Sequence, residues 1–309
     1  MASVLAEPSR LRLLFQPIVD LQRGVVAGYE TLARFSEPDG RPSRVPPDQW
    51  FAAAGAQGVG ARLEGLVVRR CLDLLRTVPP NCFLTVNVSP HLLTDPELAE
   101  ALLAVPDLAP LVLELTEHQD VTDLDPLMDL RDRLRSRGAL LAVDDAGSGY
   151  SGLQQIAAIK PQLVKLDRAI VNGVDGDEVK LALTELLGEF AGRIDAWLLA
   201  EGIEAWSEVE ALLRLGVPLG QGWLFGRPGP AWPRLDPGTA APLRFRSARA
   251  RLVEHVASLV EEVPVEGGPE SGVVPGGQAG LRVDPGGRPR RCCCRAAAAT
   301  TTPGTGSPR

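Results

Sequence analysis

Short β-rich runs recur along this chain between stretches of helical spacing, and nearly every run ends in a polar residue. That alternation constrains the fold more than any other feature. Leu11–Asp20 (LRLLFQPIVD) and Val25–Phe35 (VVAGYETLARF) read as two strands joined by a short turn at 22–24, a hairpin by loop length. Six further strands are expected at Phe83–Val88, Leu111–Thr116, the run from Leu140 to Val143, Leu163–Asp167, Trp197–Glu201 and Gly220–Phe225. Helices are expected near Pro47–Ala56, Leu63–Leu75, Pro96–Ala104, Pro126–Arg137, Gly152–Ile159, Glu178–Gly192 and Glu208–Leu215. Eight strands, mostly separated by helices, favour an α/β fold with a parallel sheet closed into a TIM-type (β/α)8 barrel; an open doubly wound sheet is the alternative.

The run from Leu140 to Val143 delivers two adjacent carboxylates, Asp144 and Asp145, into a Gly-Ser-Gly-Tyr turn. Adjacent strand residues face opposite ways, but at a strand end entering a glycine-rich loop both can turn to one cavity. Two anions held close repel, raising one pKa, unless a cation or an acid/base role compensates. The plainer reading is one Asp capping the next helix and one solvated.

In a barrel of this kind the chemistry gathers at the carboxyl ends of the strands. Those positions hold Glu30, Asn87, Glu114, Asp144, Asp145, Lys165, Glu201 and Gln221, all oxygen donors except the lysine. Carboxylates and amides without His or Cys suit Mg²⁺ or Mn²⁺ rather than zinc. Five carboxylates against one lysine leave four negative charges, which two divalent ions would neutralise; without them such a cluster is costly to assemble. Two ions bridged by a carboxylate are the familiar arrangement for displacing a phosphate-ester oxygen, and Asp144 is the candidate bridge. Each residue also has an ordinary reading: Glu30 solvated on an outer face, Asn87 serving a turn before Ser89-Pro90, Glu114 or Glu117 starting a loop, Lys165 pairing with Asp167, Gln221 as strand polarity. The three histidines, His91, His118 and His255, lie at no catalytic spacing.

Composition narrows the partners. A net charge of −7 argues against binding a nucleic-acid polymer. Cys71 and Cys82 stand alone and Cys292–Cys294 sit in a Gly/Pro/Arg-rich stretch, none with zinc or disulfide spacing, so a reducing cytoplasm is expected. No apolar run is long enough to span a membrane, and the first ten residues lack a signal core. The expected organisation is a lead over 1–10, a barrel over 11–235, a linker and amphipathic helix over 236–265 with Leu252, Val253, Val256, Leu259 and Val260 on one face, and a disordered low-complexity tail over 266–309.

The segments FQPIVD, YETLARF, VNVSP, LELTE, VDDAGSGYSGL, VKLD, AEGIE and QGWLFGRP, in this order, closely resemble the EAL-domain cyclic di-GMP phosphodiesterases, from about Leu11 to Pro228. The resemblance implies a modified TIM barrel with one antiparallel strand that hydrolyses cyclic di-GMP to linear pGpG with two Mg²⁺ or Mn²⁺ ions, in bacterial second-messenger signalling. It implies metal ligation by Glu30, Asn87, Glu114, Asp144, Asp145 and Glu201, with Gln221 nearby. Lys165 matches the lysine that orients the attacking water, and Glu201 also matches a water-network or general-base position, so Glu30, Lys165 and Glu201 form the implied catalytic set. Gln16, Arg34 and Asp167 match substrate-contacting positions, and Glu117 a residue that orders the loop after the Asp pair; a homodimer is a further implied partner. Two departures stand out: Thr31 replaces the usual Ala of the namesake triplet, and Ala146 replaces a Phe in the loop that couples dimer contacts to the metal site. Thr31 should point away from Glu30 and affect metal binding little; Ala146 and the unusual tail leave open a catalytically weak or inactive EAL module, acting as cyclic di-GMP receptor or protein-interaction domain. The residues alone also fit another divalent-metal barrel enzyme acting on sugar phosphates or acids.

Overall fold

The eight expected strands close on one another in sequence order as a barrel. The computed structural model describes residues 2–115, 125–146 and 156–261. The strands are β1 (Leu11–Asp20), β2 (Val25–Phe35), β3 (Phe83–Val88), β4 (Leu111–Leu115), β5 (Leu140–Ala146), β6 (Leu163–Leu166), β7 (Trp197–Ala200) and β8 (Leu219–Gln221). The short turn between β1 and β2 permits only a hairpin, so β1 runs antiparallel to both its neighbours, β2 and β8. All other pairings are parallel, as helical crossovers require.

Strand periodicity of two sorts the barrel interior into layers. Ile18, Val112, Ala142, Leu163, Leu199 and Leu219, with Phe83 packed against them, fill an apolar layer. Two residues further along each parallel strand come Thr85, Glu114, Asp144, Lys165, Glu201 and Gln221; β1 runs the other way, and its Gln16 precedes Ile18 by two. The polar residues therefore occupy the next layer toward the carboxyl ends, directly above an apolar floor.

The outer faces of the strands pack on helices whose apolar residues recur at helical spacing. In Gly60–Leu74 these are Leu63, Val67, Val68 and Cys71, and in Asp125–Arg135 they are Leu127, Leu130 and Leu134. Thr31 lies on this outer side, buried, its hydroxyl near the Cys71 thiol but without a partner in hydrogen-bond geometry. Among the described residues three helices carry Asp caps: Asp95 accepts from Glu97 N, Asp167 from Ala169 N, and Asp177 from Val179 N and Lys180 N.

The structure corrects several expected boundaries. The last strand ends at Gln221, because Gly222 turns the chain against the segment after β7. Ile203 N donates to Gln221 O at 3.0 Å and Leu224 N to Ile203 O at 3.2 Å, and a Cβ on Gly222 would collide with the Ile203 backbone. The C-terminal helix spans Pro237–Glu261, starting well before the apolar face that begins at Leu252, with Pro242 inside it. Ahead of β1, Ala2–Ala6 is helical and Pro8–Arg10 forms a 3-10 turn, with Arg10 Nε donating to Ser36 O at 2.9 Å. Thr116, Glu117, His118 and the start of the helix expected from Gly152 lie outside the described residues; its end, 156–159, is described and helical. The tail from Glu266 also lies outside them. Among the described residues no helix is long and apolar enough to cross a membrane.

Gly222→Ala should lower stability by at least about 3 kcal/mol, since a methyl group there meets backbone rather than a movable side chain. Urea unfolding would show this as a reduced midpoint; an unchanged midpoint would contradict the close approach.

Candidate active site

Lys165 rises from β6 into the centre of the polar layer and is almost completely buried. Its Nζ lies 2.7 Å from Glu201 Oε1, 3.0 Å from Glu114 Oε2, 3.1 Å from Asp144 Oδ1 and 3.7 Å from Glu30 Oε1. Four strands thus aim carboxylates at one ammonium. Glu30 is held on its other side: Gln221 Nε2 donates to Oε2 at 2.6 Å and Asn87 Nδ2 to Oε1 at 3.3 Å. Gln221 Nε2 also donates to Gln16 Oε1 at 3.2 Å, and Gln16 Nε2 donates to Gly226 O at 3.1 Å. The amides on β1, β3 and β8 therefore orient the carboxylate on β2.

A register shift between Val143 and Ala146 brings the second aspartate to the same side. Asp145 sits at φ 54°, the left-handed region that costs a non-glycine residue about 1 kcal/mol, and its N–H donates to Asp144 Oδ1 at 3.0 Å. This bulge cancels the alternation that would part the two side chains. One oxygen each from Asp144, Asp145 and Glu201 lie within 4.8 Å of one another, close enough for one cation to take all three.

The charge is not balanced by protein groups. Burial pushes the Glu114 carboxyl up to about 7, with Glu30 and Asp144 adding repulsion that Lys165 only partly offsets. Burial likewise raises Glu201 well above the carboxylate range, against the pull of Lys165. Asp145 is pushed up to about 6 by burial and by Asp144 and Asp167. Burial works against the charged form of Lys165, but Glu114, Glu201, Glu30 and Asp144 together hold its pKa well above the usual lysine value. Glu114 Oε1 is buried with no hydrogen-bond partner; the Thr85 hydroxyl lies near but outside bonding geometry. A set of oxygen donors only, with surplus negative charge and an orphaned carboxylate oxygen, fits hard divalent cations.

Residues 3–228 match the model of the EAL domain family. The chain belongs to the EAL domain family. It is 31% identical over 222 residues to the probable cyclic di-GMP phosphodiesterase PdeB of Escherichia coli K12, covering 69% of this chain and 42% of PdeB. The PaMucR phosphodiesterase, solved as a c-di-GMP complex, is 27% identical with a TM-score of 0.62, over 74% of this chain and 96% of that one. The Bacillus subtilis YkuI protein, which has an EAL domain and was solved with c-di-GMP and calcium, shares the fold at 23% identity and a TM-score of 0.69, over 84% of this chain and 65% of that one. The chain spans 27% to 65% of the length of the curated relatives it matches.

The remaining candidates of this EAL domain lie around the polar layer. Arg34 is four residues beyond Glu30 on the same face of β2, half-buried, with Nη1 donating to Ala33 O at 2.8 Å. Asp167 caps the helix Arg168–Val171 through Ala169 N at 2.6 Å and stands beside Asp145, whose pKa it helps raise. Glu117 lies outside the described residues. Ala146 is fully buried and pairs with Leu166 in the ladder, so the position normally filled by Phe is a core contact here.

Two buried glutamates that support the site escaped sequence reading. Glu64 takes Ser89 N at 2.9 Å and Ser89 Oγ at 2.6 Å, fixing the chain just past Asn87. Glu208 accepts from Gly173 N, Glu204 N and Ala205 N, tying down the loop after Glu201. Glu64 stands inside an apolar helix face, and Glu208 is the third residue of its helix, the capping-box position that reaches back to the N-cap; these were the available signals.

Because Glu114 and Asp145 titrate higher folded than unfolded, the metal-free native state holds extra protons between about pH 4 and pH 7. Their contribution to stability is therefore lost as pH rises through that window. In chelator, the melting temperature should fall from about pH 4.5 to pH 7 more steeply than in Glu114→Gln. Mn²⁺ should raise it more at about pH 8 than at about pH 5. Parallel pH profiles for the two proteins would contradict the assignment.

Proposed function

We propose that this EAL domain is a divalent-metal-dependent phosphodiesterase that hydrolyses one phosphodiester bond of cyclic di-GMP to give linear pGpG in the cytoplasm. The observation that carries the reading is the approach of Asp144, Asp145 and Glu201 to one another beside Lys165 at the carboxyl ends of the strands. The names of PdeB and PaMucR support the substrate class.

Glu30, Asn87, Glu114, Asp144, Asp145 and Glu201 would hold two Mg²⁺ or Mn²⁺ ions, with Gln221 fixing Glu30. When bound, such ions supply charge stabilisation for the phosphoryl oxygens and acidify water. The chain's own residues supply position. Lys165 keeps Glu114, Asp144 and Glu201 converged and donates toward the attacking water. Arg34 presents a planar fork suited to a phosphate oxygen. Water oxygen bonds to phosphorus, the bond from phosphorus to the leaving ribose oxygen breaks, the water's proton passes to a neighbouring carboxylate and is released to solvent, and solvent water returns a proton to the leaving oxygen. Glu201, whose Oε1 lies 2.7 Å from Lys165 Nζ, is the carboxylate proposed for the proton-accepting place.

Full-length protein with Mg²⁺ or Mn²⁺ should convert cyclic di-GMP to pGpG, followed by chromatography. Glu30→Ala and Lys165→Met should each lower turnover by at least about a hundredfold. A folded protein with no turnover in either ion would refute the enzyme reading. The buried Ala146 supports a second reading, a receptor module; calorimetric binding of cyclic di-GMP without hydrolysis would favour it.

A further inference from the structure

The helix Pro237–Glu261 uses one face to join the barrel. Ala240, Leu243 and Ser247 are buried, Ser247 Oγ donates to Gln22 O at 2.8 Å, and Arg246 pairs with Glu210 at 2.9 Å and lies over the Trp206 ring. At 100° per residue Phe245, Ala248 and Leu252, spaced i, i+3, i+7, form one stripe on the outward side of the helix. Phe245 is 70% and Leu252 61% exposed, so they project outward rather than line a groove. Arg244 and Arg251 run along one edge of this stripe and Arg249 along the other, all exposed, and none has an ion-pair partner among the described residues. The chain carries net charge −7, yet it has no acidic residue between Asp236 and Glu254.

We propose that this stripe docks on an anionic lipid bilayer. An apolar centre with arginines on both edges matches a surface whose acyl boundary takes Phe245 and Leu252 while its phosphates take the guanidinium groups. A nucleic-acid backbone would satisfy the arginines but leave the Phe and Leu in water. The helix lies along the bilayer without crossing it, anchored on its inner face by Leu243 and the Arg246–Glu210 pair.

The test is sedimentation of full-length protein with phosphatidylcholine vesicles, with and without roughly one phosphatidylglycerol in three lipids, at low and high salt. Affinity for the anionic vesicles should exceed that for neutral ones by at least about tenfold, and should fall with salt. Phe245→Glu with Leu252→Glu should abolish binding. Arg244→Gln, Arg249→Gln and Arg251→Gln should each weaken it about fivefold. Since these side chains are exposed, the variants should melt with the parent protein; Phe245→Ser serves as a milder replacement if the double variant does not. Any of three results would overturn the proposal: no binding to anionic vesicles, undiminished binding by the folded variants, or a lipid-free dimer that the same substitutions dissolve.

Discussion

Everything in the polar layer is arranged around one buried ammonium, that of Lys165, with four carboxylates converging on it from neighbouring strands. Removing a charge from water is expensive, and a buried ion group persists only when its partners are fixed in place. The barrel fixes them. Glu114, Asp144 and Glu201 sit near or just past the carboxyl ends of β4, β5 and β7, Glu30 sits in the middle of β2, and all lie next to an apolar layer. The lysine does not finish the neutralisation: burial first, and repulsion from neighbouring carboxylates second, hold Glu114, Glu201 and Asp145 above the usual carboxylate range. The same surplus that burdens the metal-free protein is what would favour the divalent cations of the proposed function.

Two local departures from regular structure make the convergence possible. The bulge at Asp145 spends left-handed backbone to bring a second carboxylate beside the first. Gly222 allows the chain after β8 to lie against Ile203, which positions Gln221 to grip Glu30 and Gln16. Neither stabilises the fold by itself. Backbone strain of the kind seen at Asp145 is typical where a structure holds groups for chemistry.

Much of this was legible in the sequence, for definable reasons. β1, β2 and β3 begin and end where their β-rich runs do, because the hairpin turn and the flanking Pro and Asn residues punctuate them sharply. The gathering of Glu114, Asp144, Lys165 and Glu201 follows from their common position near strand ends; Glu30 joins them from the middle of β2, whose strand continues to Phe35. What sequence could not give was reach between distant segments. Gly220–Phe225 reads as one strand because its Trp, Leu and Phe are β-formers, but contact with Ile203 bends it out of the sheet after Gln221. The C-terminal helix starts earlier than its apolar pattern, since Gly238 and Pro242 read as breakers while packing of Ala240 and Leu243 on the barrel overrides them. The support given by Glu64 and Glu208 was hidden because a lone Glu on a helix resembles ordinary surface charge.

The central claim is that scattered carboxylates form one cage for two divalent ions above Lys165. Its most direct test is the stoichiometry of Mn²⁺ bound to the folded, chelator-stripped protein, read by paramagnetic resonance of free ion. The account predicts two Mn²⁺ per chain in the parent protein and a loss of tight binding in Asp144→Asn, the proposed shared ligand. A protein that is folded yet binds no Mn²⁺, or a variant that keeps both ions, would contradict it.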